Sequence, residues 1–272
     1  MRSFVHHPAS KFLFSFLIIF LLFFLGKGLQ SSALDYQEAQ EQEIEKVRLD
    51  RGLYPVISES DLYCSFFILE GEIPTIKILG TDKEEEKILL TDADIVTIDR
   101  GRNDGLEIGQ IFLILEIGPK VRDFGHLALK RGRARIVYLE ERQALAEIEK
   151  SCGQVMVGNY LTPFEEKEGL LGKDLGYDVP PEEGEGPKGE VIYLEREFVQ
   201  IGSNQWAIVD MGEGDGVYVG QQLIIYTKEK DGSIKIIGNC ITIDTKEKTS
   251  TVKVLSCNDP IRIGHQVQTR LQ

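Results

Sequence analysis

Apolar side chains recur at every second position in a series of short stretches: Val96/Ile98, Leu106/Ile108 and Phe112/Ile114, then Ile241/Ile243, Val252/Val254 and Ile261/Ile263. That period belongs to strands that bury one face, and the spacing predicts an antiparallel all-β body whose first strand begins near Leu62. Asp231-Gly232 marks a tight hairpin, because glycine after aspartate readily takes the positive φ such turns need. A second hairpin is expected near Lys246 and Glu247. Two stretches break the pattern. Residues 36 to 50 (YQEAQEQEIEKVRLD) hold no glycine or proline and predict a short polar helix. Residues 12 to 25 form an apolar run preceded by Arg2 and Lys11.

The strands belong to a repeat. Residues 96 to 114 (VTIDRGRNDGLEIGQIFLI) align without a gap on residues 207 to 225 (AIVDMGEGDGVYVGQQLII) at an offset of 111. Asp99 matches Asp210, Gly101 matches Gly212, Asp104-Gly105 matches Asp215-Gly216, and Gly109-Gln110 matches Gly220-Gln221. Downstream, Gly132 corresponds to Gly238 and the run ending in Gly158 to the run ending in Gly264. A periodic unit of this kind means one supersecondary module used twice. Two tandem small antiparallel β-barrel or sandwich modules follow, at 57–162 and 189–272. Residues 34–56 are a helical lead-in. The stretch 163–188, with eight acidic residues, five glycines and several prolines, is expected to be a flexible acidic linker.

The shared motif reads Asp-x-Gly-x-x-Asp-Gly-apolar-x-apolar-Gly-Gln. Gly105 and Gly216 are placed to close a left-handed turn at a strand end, and Gly109 and Gly220 to bend the chain into the next strand. Leu106/Ile108 and Val217/Val219 are expected to plug the core between the bends. A calcium loop does not fit. Started at Asp99, it would put Asp104 where an EF-hand needs glycine and Gln110 where it needs a bidentate glutamate. A phosphate cradle would need a helix or a lysine after the glycines, and a strand follows. Trp206 aligns with Ile95, which favours packing, with Trp206 and Tyr218 as the candidate glycan contacts if a sugar is bound.

The basic start, the apolar run of fourteen residues and Ser31-Ser32-Ala33 have the layout of a secretory signal peptide at 1–33, shorter than the roughly 20 residues of a membrane-spanning helix. An uncleaved anchor is the rival reading; either places the rest of the chain outside the cytoplasm, in the periplasm or cell envelope. Cleavage after Ala33 would leave 28 of the 31 basic residues against all 44 acidic ones, a formal charge of −16. Nucleic acid and anionic headgroups are repelled by such a field. In an oxidising compartment the four cysteines invite disulfides. Cys64 and Cys152, near the first and last strands of one module, make the more plausible pair, whereas in the hairpin turning near Lys246 Cys240 should face roughly Lys253 and miss Cys257 by more than about 10 Å; four buried free thiols are the rival reading.

No constellation suggests catalysis, a metal or a cofactor. His126 and His265 are solitary, without a nucleophile in a recognisable setting. Acidic pairs such as Glu140-Glu141 and Glu182-Glu183 arise by default among 44 carboxylates.

The strand–turn–strand units IDRGRNDGLEIGQIFLI and VDMGEGDGVYVGQQLII resemble a β unit of envelope proteins such as the C-terminal region of flagellar assembly protein T and the periplasmic part of the rod-shape protein MreC. Over residues 62 to 270, DLYCSFFI, LLTDADIVTIDRG and VMVGNYL are similar to the segment that accompanies LysM peptidoglycan-binding modules in secreted Gram-negative proteins. The resemblance implies a cell-envelope role, with an envelope protein or peptidoglycan as partner. No LysM module is present in this sequence. A non-catalytic scaffold or adaptor is therefore the first expectation, direct binding of peptidoglycan or another envelope glycan the second, and an unrecognised hydrolase the third.

Overall fold

In the computed structural model, the residues that can be described are 53–81, 89–177 and 186–270. The signal segment and nearly all of the expected lead-in helix lie outside them. The body from Tyr54 onward is one compact unit, and it contains two closed six-stranded antiparallel barrels in tandem.

Barrel 1 is built from β3 (Ile76–Thr81), β5 (Ile95–Ile98), β6 (Ile111–Val121), β7 (Gly125–Leu139), β8 (Ala144–Ser151) and β10 (Tyr160–Pro163). Its order is β7-β6-β10-β3-β5-β8, closed by pairing of β8 with β7. Barrel 2 uses β12 (Lys188–Leu194), β13 (Trp206–Val209), β14 (Gln222–Lys228), β15 (Ile234–Thr245), β16 (Ser250–Cys257) and β17 (Gln266–Thr269). Taken strand by strand along the chain, its order β12-β13-β16-β15-β14-β17 is the same circuit. Closure removes the free sheet edges that two small modules would otherwise expose. Each barrel has its own core: Val96, Ile98, Phe112, Ile114, Ile136 and Ile148 fill the first, while Val191, Val209, Leu223, Val252, Val254 and Val267 fill the second.

The remaining elements lie beside or between the barrels. β2 (Phe66–Leu69) adds to the outside of β7, and β4 (Leu89–Leu90) pairs with β9 (Val155–Met156). β1 (Tyr54–Ile57) pairs with β11 (Leu170–Gly172). Between β1 and β2 lies one helical turn, α1 (Glu59–Cys64). Here the sequence expectation of a strand around Leu62 is corrected. Ser58 and Asp61 form a capping box, each side chain bonding the other's backbone N–H, and this satisfies the orphan donors of a short helix.

The expected flexible linker is corrected over its described part, residues 163–177. Phe164 stacks on Tyr63 with ring centroids 5.0 Å apart, β11 pairs with β1, and the Asp174 carboxylate accepts from Ser256 and Asn239 of barrel 2. Acidic composition misleads here because a few backbone and carboxylate bonds to a neighbouring barrel order the segment without an apolar face of its own. The likewise expected core plug is half right. Leu106 and Val217 are buried, but Ile108 and Val219 are exposed, at 68% and 45%. Ile263 is exposed too. All three stand in turns just before a left-handed glycine, where a period of two no longer applies.

Candidate functional site

The repeated motif folds into the same hydrogen-bonded turn twice. After β5 and after β13, three residues make a 3-10 turn (Arg102–Asp104 and Glu213–Asp215) closed by Gly105 at φ 84° and Gly216 at φ 81°. The Asp104 carboxylate accepts from Gly101 N–H at 3.0 Å, and Asp215 accepts from Gly212 N–H at 3.0 Å. One residue pair earlier, Asp99 accepts from the N–H of Lys77 and Asp210 from that of Glu190, completing the ladder where strand pairing stops. Gly109 and Gly220, at φ 87° and 91°, donate to Ile136 and Thr242 on the facing strands. The turn carboxylates are thus engaged by backbone amides. Among the described residues no group of three or more His, Cys, Asp or Glu side chains could hold a metal ion.

Gly101 and Gly212 have a different task from the left-handed glycines. A Cβ on Gly212 would fall 2.2 Å from the Lys246 carbonyl oxygen, and one on Gly101 2.6 Å from the Gln143 amide, because each barrel's second hairpin crosses directly over the turn. By contrast, Gly216 has open space around it and demands only a positive φ. Gly212→Val should therefore destabilise the protein by about 2 kcal/mol or more through overpacking, and Gly216→Val by more than about 1 kcal/mol through backbone strain. Equilibrium urea unfolding of the two variants checks the order. Equal stability of Gly216→Val and wild type would refute the turn geometry.

The other sequence candidates fall in separate places. Cys64 at the end of α1 is bonded to Cys152 after β8, with Cα atoms 5.2 Å apart, and Cys240 and Cys257 are free thiols, the first buried. In the second hairpin Cys240 stands opposite Val254, one residue from the position expected, and Cys257 opposite Gly238. Burial pushes the Cys240 thiol well above its ordinary value. Trp206 does not form a stacking platform with Tyr218. Its indole N–H donates to Asp61 at 2.9 Å, and its ring meets Phe66 edge-on at 6.3 Å. The Tyr218 side chain is half exposed on the turn of barrel 2. His265 is a turn residue: its Nδ1 accepts from Arg262 N–H at 3.3 Å, just as Asn159 accepts from Met156 N–H in barrel 1. Burial and the nearby Arg262 charge lower its pKa.

What the sequence did not reveal is a buried polar joint between the barrels. Lys130, on β7, is 5% exposed at its side chain and gives its three protons to the Leu62 carbonyl at 2.7 Å, Asp244 Oδ2 of β15 at 2.9 Å and Ser65 Oγ at 3.3 Å. Burial pulls its ammonium below the ordinary value, with the Asp244 charge opposing. Burial would raise the Asp244 carboxyl, but the Lys130, Lys246 and Lys167 ammoniums more than reverse that and hold it well below the carboxylate range. A second pairing lies alongside. Asp61 of α1 accepts from Lys253 of β16 at 2.8 Å and from Trp206; burial opposes ionisation, yet these bonds and that from Ser58 lower its pKa. The Phe66 carbonyl accepts from Thr251 Oγ1 at 2.7 Å.

Apolar contacts surround these bonds. Phe66, Ile68, Val121 and Leu127 of the first half pack on Ile192, Tyr193 and Ile208 of barrel 2. Val56, Ile57 and Leu62 pack on Ile241 and Ile243. Ile241 and Ile243 are therefore buried, as their alternation implied, but against the joint, with Cys240 facing barrel 2's own core. The signal that could have found this region is divergence between the copies. Lys130 stands where barrel 2 has Ile236, and Asp244 where barrel 1 has the exposed Tyr138. Positions needed for folding match between modules, whereas those that meet the other module need not.

Beside the joint an open groove of about 300 Å³ is lined by Phe67, Leu113, Phe164, Lys167, Asp244 and Lys246 among others. No protein-family model matches the chain, and no curated protein matches it either.

Proposed function

We propose that the protein is a non-catalytic, exported scaffold or adaptor of the cell envelope, presenting its two barrels as one rigid platform to an envelope protein. The observation that carries this reading is the joint. The buried charges Lys130 and Asp244 bridge one barrel to the other, and the repeated carboxylates hold turns. A protein whose buried polar groups are occupied in fixing the relation of two modules is suited to presenting surfaces in a defined geometry. The similarity of its β units to those of envelope proteins supports the compartment. Direct glycan binding is less favoured because Trp206 is engaged inside the joint, leaving Tyr218 without it.

Two assays on the mature chain test the proposal. The expected result is that the chain stays in the supernatant when purified sacculi are sedimented, and that an envelope protein recovered with it binds again when both are purified. Co-sedimentation with sacculi would replace the adaptor reading by the glycan one. Turnover of a glycosidic or peptide bond by the pure chain would end the non-catalytic reading.

A further inference from the structure

The groove beside the joint has an unusual charge balance for so acidic a chain. Asp244 Oδ2 is paired with Lys130, and its Oδ1 faces Lys246 Nζ at 3.3 Å and Lys167 Nζ at 3.4 Å. Three ammoniums therefore surround one carboxylate. Lys130 is saturated by its three acceptors, but Lys167 and Lys246 keep protons free of Asp244, and their side chains are 40% and 34% exposed. Glu165 on the rim supplies the opposing charge. The walls are apolar: Phe67 and Leu113 come from β2 and β6, and Phe164 from the segment after β10. The Lys246 ammonium sits over the Phe67 ring, 4.7 Å from its centre, so the cationic edge adjoins an aromatic wall that is itself largely buried.

We propose that this groove seats an acidic peptide segment of the partner, a carboxylate lying between Lys167 and Lys246 and a neighbouring apolar side chain against Phe67, Leu113 and Phe164. The site rests on the adaptor reading and gives its partner a chemistry. Its volume suits a few side chains and no larger body. A neutral sugar would leave the two lysines sharing the single Asp244 carboxylate oxygen, with no second anion for their remaining protons. A polyanionic surface would be repelled by the acidic remainder of the protein. One carboxylate beside one apolar group matches what the walls offer.

The probe is a fluorescein-labelled peptide carrying one leucine–glutamate pair in a serine–glycine background, compared with its leucine–glutamine counterpart by fluorescence anisotropy on the mature chain. The glutamate peptide should bind and the glutamine peptide should bind at least about tenfold more weakly. Lys167→Gln and Lys246→Gln should each weaken binding by about fivefold, modest because both side chains are part-exposed, and Glu165→Gln should strengthen it. Circular dichroism identifies any variant that fails to fold. Independently of variants, photo-leucine placed in the peptide should label Phe67, Leu113 or Phe164 of the unaltered protein. Equal binding of the two peptides, unchanged binding in the folded double variant, or labelling elsewhere would overturn the site. If an identified envelope protein binds the pure chain while the peptide does not, the groove proposal fails and the adaptor reading stands.

Discussion

Asp244→Ala should destabilise the protein by about 3–5 kcal/mol, because it leaves the Lys130 ammonium buried with only neutral acceptors. Desolvating an ammonium is costly, and the native structure offsets that cost with a carboxylate 2.9 Å away. Replacing both partners by apolar residues, as in Lys130→Met with Asp244→Leu, should recover most of the loss, since neither charge then needs a partner. Urea unfolding followed by circular dichroism measures both variants. The pair also has a pH signature. The Asp244 carboxyl titrates lower in the folded chain than its unfolded value of about 3.9, so its contribution is present above that pH and lost as pH falls toward the folded value. Wild type should therefore lose more stability between pH 5 and pH 2 than the double variant does. A single variant as stable as wild type would show that the joint does not hold the charges as described.

The second large effect is expected from the disulfide. Cys64 and Cys152 close a loop of 88 residues in sequence, and for such a loop the chain-entropy estimate is close to 4–5 kcal/mol, with a measured range of about 2–5 kcal/mol for lost native bridges. Cys64→Ser with Cys152→Ser should fall in that range. The consequence is more than a looser unfolded chain. Cys64 is the last residue of α1, and the same turn supplies Asp61 to Trp206 and Lys253 and the Leu62 carbonyl to Lys130. Loss of the bridge should free α1 and alter the surroundings of the sole tryptophan. A red shift of Trp206 emission in the still-folded variant is the expected sign. Native stability together with native emission would mean that α1 is held by its other bonds alone.

Legibility in the sequence followed the duplication. Two copies of one pattern, with Gly105 and Gly216 at left-handed turns and Val96, Ile98, Phe112 and Ile114 facing inward, led to two tandem all-β modules, and this is the architecture observed; the strand order the two barrels share came only with the structure. Composition and period-two patterning are local, so they describe what each module needs to fold. They failed where a residue answers to the other module. Ile241 and Ile243 look like half of a barrel core and are in fact the floor of the joint. Leu170–Gly172 lies in an acidic, glycine-bearing stretch and yet pairs as a strand with Tyr54–Ile57. The capping box at Ser58 and Asp61 was readable in principle, since serine followed three residues later by an acidic side chain is a helix-start signal. The pairing of Lys130 with Asp244, 114 residues apart, leaves no local pattern at all.

Whether the barrels move as one body is best decided by residual dipolar couplings from the chain beginning at Leu34 in weakly aligned solution. Amides of β5 to β8 and of β13 to β16 should fit a single alignment tensor, with the relative barrel orientation set by Lys130–Asp244 and Asp61–Lys253. Two tensors of different magnitude or direction would mean barrels swinging on a tether, and the joint would then not be what defines this molecule.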